Sequence, residues 1–171
     1  MRLKENAKHH SPKVICFGEA LVDRLGPLSS DPSRELPYQD CLGGAPANVA
    51  CALARLGISV AFLGRLGEDQ IGMDFRNLML ERHINIDCLQ IDNKLPSRVV
   101  KVCRNINGER SFGGFAGDKG DGFSDQAIEL NSLTKCWPSL SRDAEWLLVG
   151  SIPLASRSSC ESLWWCLKQA R

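Results

Sequence analysis

The stretch from Gly43 to Gly67, GGAPANVACALARLGISVAFLGRLG, constrains the fold more than any other part of the chain. It opens on a glycine pair with Pro46 and Asn48 close behind. An alanine-rich, helix-like segment then runs to a stop at Gly57, and Val60-Ala61-Phe62-Leu63 follows as a buried-strand pattern ending near Gly64 and Gly67. Glycines allow a ligand to approach the main chain closely. The N–H groups at a helix start, with the Asn48 side chain, can then bind oxygens. Taken alone, a glycine pair means only a loop, and an alanine-rich helix means only packing.

Elsewhere the pattern repeats strand, helix, strand. Lys13 to Gly18 is a continuous apolar run, the mark of a parallel strand buried on both faces. Residues 26–35 read as a loop, and Leu36 to Leu42 as a short strand of a small accessory sheet. Ile71, Phe75, Leu78 and Met79 recur at helical spacing and predict a helix over Gln70 to Arg82, with His83 as a polar cap at its end. Asp87 to Ile91 reads as another short strand. Asn107-Gly108, between Arg98–Arg104 and Glu109–Phe112, predicts a hairpin with positive φ at both turn positions. That hairpin fits a separate small sheet or an antiparallel excursion at a sheet edge. Residues 124–142 read as helix broken at Pro138, and Trp146 to Gly150 as a second buried strand. The last helix, from about 158, opens on a capping box, Ser158-x-x-Glu161, with Cys160, Leu163, Trp164 and Leu167 on one face. Together these elements predict an α/β sheet with helices on both faces.

At 171 residues the chain is long enough for one domain with a sizeable core. A net charge of +1, with no basic run beyond the Glu5-interrupted start, offers no electrostatic case for nucleic acid or an acidic membrane face. No apolar run reaches membrane-spanning length, and residues 1–12 read as a polar, frayed tail. The eight cysteines contain no C-x-x-C pair. Cys16, Cys51, Cys88 and Cys103 fall in apolar patterns expected of buried free thiols. The expectation is a reducing compartment, cytoplasm or plastid stroma, without structural disulfides. Three histidines, two of them adjacent in the tail, leave zinc without a natural ligand set. FAGDKGDG, residues 115–122, lacks both common phosphate-loop patterns, and Asp118 and Asp121 would repel phosphate. The absence of a glycine fingerprint after any strand also removes a Rossmann-type oxidoreductase.

Gly43-Gly44-x-Pro46-x-Asn48-x-Ala50, with Gly57 and Gly67 at matching intervals, resembles the first signature of the PfkB (ribokinase-like) carbohydrate kinases. The resemblance implies a three-layer fold with a mostly parallel central sheet and a small β lid, formed here by segments of about 21–41 and 98–115 within residues 13–171. It also implies a role for Asp23. By its residue type alone Asp23 is a surface carboxylate at a strand end, but it matches the family's GE-x-x-x-D segment, whose aspartate hydrogen-bonds sugar hydroxyls. Asp23, Gly43, Gly44 and Asn48 are thus the implied sugar-binding residues, with Phe115 a candidate to line the pocket. Gly150-Ser-Ile-Pro153 matches the family's G-S-x segment, which leaves the sheet beside that pocket. FAGDKGDG departs from the Y-R-N-P-S-A-D typical of fructokinases, which puts fructose itself in question.

The family's second signature, D-T-x-G-A-G-D, supplies the anion hole and the aspartate base and borders the ATP site; it occurs nowhere in residues 1–171. The resemblance therefore covers the N-terminal half of a kinase that uses ATP and Mg²⁺, in truncated form. It implies a chain that holds the sugar side without catalytic residues, binds no ATP or Mg²⁺ itself, and can dimerise through the β lid. A non-catalytic ribokinase-fold protein acting through protein contacts is the alternative. The edge strand and the Trp164 face are expected to lie exposed.

Overall fold

A computed structural model describes residues 11–28, 38–116 and 122–170. Its centre is β1 (Val14–Phe17), which pairs in parallel with β4 (Val60–Leu63) on one side and β9 (Trp146–Val149) on the other. Successive side chains of a strand face opposite sides, so two cores form. Ile15, Phe17, Ala61 and Leu63 face α3 (Leu130–Leu140) and α4 (Arg157–Gln169), packing on Leu133, Trp137, Leu163 and Cys166. Cys16, Val60 and Phe62 face the other way, onto Ala47 and Ala50 of α1 (Ala45–Arg55) and Phe75 and Met79 of α2 (Gln70–Glu81). This is the expected three-layer arrangement. Beside it, β5 (Arg65–Gly67) and β6 (Gln90–Asp92) form a short parallel pair.

A second sheet has the order β3-β2-β7-β8, from β2 (Leu21–Leu28), β3 (Gln39–Gly43), β7 (Val99–Arg104) and β8 (Arg110–Phe115). Its β2–β7 pairing is parallel and the outer two are antiparallel. β2 runs through Gly26 and Pro27, where a loop is expected, with a register shift between Leu25 and Leu28 that accommodates the proline. The rest of that expected loop, the tail to residue 10, and Asp118 and Asp121 lie outside the described residues.

Local signals explain the helix ends. α1 closes on Gly57 at φ 81°, where the Gly57 N–H reaches the Ala54 carbonyl and the Ile58 N–H the Leu53 carbonyl. That double bond pattern needs a left-handed residue, which glycine supplies without a Cβ clash. α2 starts on the Asp69 side chain, which accepts from the Gly72 N–H, and ends with His83 itself left-handed at φ 56°.

Several expectations are corrected. Only Gly108 of the hairpin turn has positive φ, because the Asn105 side chain organises the loop by accepting from the Asn107 and Glu109 N–H groups. Pro138 lies inside α3 without breaking it, since it sits in the exposed last turn where the carbonyl it leaves unpaired can meet water. α4 begins at Arg157, and no capping box forms: the Ser158 hydroxyl donates to the Ile128 carbonyl, and Glu161 pairs with Arg157 instead. The buried face of α4 is Ser159, Ser162, Leu163 and Cys166, with Trp164 turned outward. β9 is not buried on both faces. It pairs only with β1 among the described strands, and Trp146 is 71% exposed. Finally, Cys88 and Cys136 form a disulfide, tying α3 to the segment before β6. Cys51 and Cys103 are only partly buried, whereas burial pushes the Cys16 thiol up to about 12. None of the described helices is long and apolar enough to cross a membrane.

The disulfide closes a sequence separation of 48 residues. Crosslinks of that span stabilise by about 2–4 kcal/mol through the unfolded state. Reduction with dithiothreitol should therefore lower the thermal midpoint by several degrees, and Cys136→Ser should do the same in oxidising buffer. Superimposable melts with and without reductant would show that the bridge carries no stability.

Candidate functional site

The end of β1 and the start of β2 deliver two carboxylates to one turn. Asp23 stands on β2 opposite Cys41 of β3, which brings it beside Gly43 at the end of that strand. A Cβ at Gly43 would lie 2.7 Å from the Asp23 Oδ2. Gly44 follows at φ 94° and caps α1; a Cβ there would lie 2.7 Å from the Glu19 carbonyl oxygen. The two glycines are thus required by close approach on both sides of the turn. Glu19, 5% exposed, accepts from the Ala45 N–H through Oε1 at 3.3 Å. Its Oε2 is buried without a hydrogen-bond partner. Burial pushes the Glu19 carboxyl above the ordinary carboxylate range.

The register of the second sheet sets the far side. Cys41, Asp23, Val100 and Phe115 form one row across β3, β2, β7 and β8. Residues in register share a face, and with strands about 4.8 Å apart Phe115 stands roughly 10 Å from Asp23 along it. Phe115 packs against Phe112 and Phe123, at ring-centroid distances of 5.1 and 5.8 Å. Asn48 is exposed, one turn into α1, where its N–H reaches the Gly44 carbonyl. The structure therefore brings Asp23, Gly43 and Gly44 into contact, sets Phe115 on the Asp23 row, and leaves Asn48 facing solvent at the helix start.

Sequence reasoning missed the charged groups behind this face. The Arg98 guanidinium meets Asp125 in two parallel bonds of 2.7 and 2.8 Å, with both side chains at most 3% exposed. Phe115 and Phe123 lie 5.2 and 4.6 Å from that guanidinium. Planar, paired and stacked, it has the surroundings that make a buried arginine tolerable. The pair fastens the start of β7 to the short 3-10 helix Ser124–Gln126. On the opposite edge, Arg24 and Asp40 make another two-pronged contact at 2.7 Å, half exposed, which holds the Asp40 carboxyl below its ordinary range. No motif announces Arg98 or Asp125, and the GE-x-x-x-D segment names Glu19 without giving it a role; what marks all three is burial, which local sequence does not encode.

The family model described as "pfkB family carbohydrate kinase" matches residues 11–160. This chain belongs to the PfkB family. Fructokinase from Escherichia coli is 39% identical over 149 residues, covering 87% of this chain and 44% of that protein. The crystal structure of fructokinase from Xylella fastidiosa superposes with a TM-score of 0.77 at 29% identity, over 93% of this chain and 47% of that one. Fructokinase from Vibrio cholerae O395, in its form with fructose, ADP and a calcium ion bound, has a TM-score of 0.69 at 28% identity, over 93% and 47%. The PfkB chain described here spans about half the length of these relatives.

Removing one partner of a buried pair leaves the other charged and unsatisfied, which costs about 3–5 kcal/mol. Asp125→Ala is expected to lose that much stability in urea unfolding, whereas Asp40→Ala, at a half-exposed pair, should lose about 1 kcal/mol or less. Equal losses at the two sites would contradict the burial argument.

Proposed function

We propose that this chain supplies the sugar-binding part of an ATP-dependent, fructokinase-like carbohydrate kinase. The observation that carries this reading is the Asp23 carboxylate pressed against Gly43 beside the N-terminus of α1. A carboxylate there accepts two hydroxyl donors, and the side-chain-free turn lets a sugar ring approach the main chain. Phe115 forms an apolar wall on the same face, and Asn48 offers an amide to a further oxygen at the rim. The fructose-bound relative supports a hexose as ligand.

In such a kinase ATP with Mg²⁺ supplies the phosphoryl group and its charge compensation. The D-T-x-G-A-G-D segment that would supply the anion hole and the base for that transfer does not occur in residues 1–171. In this reading Asp23 and the Gly43–Gly44 turn bind and orient the acceptor sugar.

A second reading, a non-catalytic ribokinase-fold protein acting through protein contacts, is favoured by apolar surface. Phe112 on β8 is 66% exposed and Leu42 on β3 38%, on a sheet suited to pairing two copies of the chain. Sedimentation of wild type against Phe112→Glu separates it from a monomeric sugar binder.

The main reading is tested by titrating the 171-residue chain calorimetrically with hexoses and pentoses. D-Fructose or a close relative should bind. Asp23→Asn, losing a charged acceptor worth about 1.5–3 kcal/mol, should weaken binding by about 10- to 100-fold. The same chain should show no ATP-dependent sugar phosphorylation. Binding unchanged in Asp23→Asn would overturn the sugar site, and turnover would overturn the division of labour.

A further inference from the structure

Glu19 is out of place as a structural residue. The hydrogen bond it accepts from the Ala45 N–H needs only a side-chain carbonyl oxygen, which glutamine would offer as a weaker acceptor without burying a charge. Its second oxygen has no partner, in a protein class where buried polar atoms are almost always paired. Space around it is tight: a Cβ at Gly150 would lie 2.5 Å from Oε2, and one at Gly18 would lie 2.6 Å from the Pro46 ring, which also packs on Gly150. Three segments thus close on this carboxyl: the end of β1, the start of α1 and the exit of β9. The charged groups that face it are Arg98 at the start of β7 and Asp125 in the 3-10 helix, the first favouring its ionised form and the second opposing it. Arg98 is already engaged in two bonds with Asp125, so it cannot fully neutralise Glu19.

We infer that Glu19 is a positioning residue of the sugar site, which in its ionised form draws the Ala45 N–H and the N-terminus of α1 toward β1 and so holds the Gly43–Gly44 turn against Asp23. An anion at a helix N-terminus is favoured by the helix dipole, and a charged acceptor makes a shorter, stronger hydrogen bond than a neutral one. The neutral acid grips Ala45 less firmly, and the turn loosens. The inference rests on the sugar-binding reading and adds a residue to it.

The sign of the pH dependence is specific. Burial favours neutral Glu19, so its contribution to stability is fully present below the ordinary glutamate range and is lost as pH rises through its raised value. The ionised form is the one that organises the turn, so sugar affinity rises over the same interval. Stability falls while binding improves. A purely structural glutamate would move both in the same direction.

The test compares wild type with Glu19→Gln between pH 4.5 and 8, following D-fructose affinity by calorimetry and the Ala45 amide by ¹⁵N NMR. Wild-type affinity should increase about tenfold across the range, the difference between a charged and a neutral hydrogen bond, with the Ala45 resonance titrating in step. Glu19→Gln should hold the weak, low-pH affinity throughout, with a static Ala45 resonance. A pH profile of affinity retained in the variant belongs to a group other than Glu19 and overturns the inference. A wild-type Ala45 resonance that does not move with pH overturns it too. An Ala45 resonance that titrates in a chain binding no hexose or pentose at any pH defeats the sugar assignment instead, and leaves the coupling of Glu19 to the turn established.

Discussion

Everything proposed for this protein depends on a turn squeezed from two sides by acids. Asp23 abuts Gly43, the Glu19 main chain abuts Gly44, and the Glu19 side chain holds the next N–H. Burying the Glu19 carboxylate is costly, and Asp125 behind it adds like-charge repulsion. The fold tolerates this because the turn leads directly into α1, whose N-terminal N–H groups carry partial positive charge. That arrangement in turn requires a parallel sheet beneath it. Only where β1 ends and α1 begins do a strand's carboxyl end and a helix's amino end meet, the place where α/β sheets bind ligands.

The second sheet is tied to the first by chemistry that is costly to break. Apart from the turn at Gly18–Ala20, the strand-to-core connection is fastened at Arg98–Asp125 and at Asp69, which caps α2 while accepting from both the N–H and the hydroxyl of Ser97. Buried polar joints of this kind fix geometry rather than add much net stability. Their consequence is that the Asp23–Val100–Phe115 row is held in a set position relative to the Gly43–Gly44 turn. A sugar site made from two sheets needs that fixed relation more than it needs additional apolar burial.

How far the sequence could be read followed from which interactions are local. The apolar run at Val14–Phe17, the period of α2 and the Gly57 stop all rest on neighbours within a turn or a strand, and the three-layer fold was legible from them together with the Gly43–Gly67 signature. The failures were competitions settled in three dimensions. Ser158 could cap its helix, but the Ile128 carbonyl lay closer to hand, the usual hazard for a serine that can serve several backbone partners. Cys88 and Cys136 have no spacing that announces a bridge; α3 packing on the sheet brings them together. Asp23 and the glycine pair were identified through family resemblance, whereas Glu19, although part of the same matched segment, carried no burial signal.

Trp146-Leu-Leu-Val149 shows this limit most directly: its composition is that of a buried strand, yet Trp146 and Val149 are exposed. An apolar run states what a strand prefers to have on its faces, not that both faces are covered. In the structure α3 and α4 pack on the Leu147 side, while on the other side a groove of about 890 Å³ remains among Val14, Val49, Leu53, Ile58, Trp146 and Leu148. At about 25 cal/mol per Å² of apolar surface, burying one such tryptophan is worth roughly 2–3 kcal/mol, a large share of the net stability of a domain this size. The groove adjoins α1 through Val49 and Leu53, the helix whose N-terminus carries the Gly43–Gly44 turn. Whatever seats α1 on β1 from that side therefore acts on the same lever that Glu19 pulls from the other end.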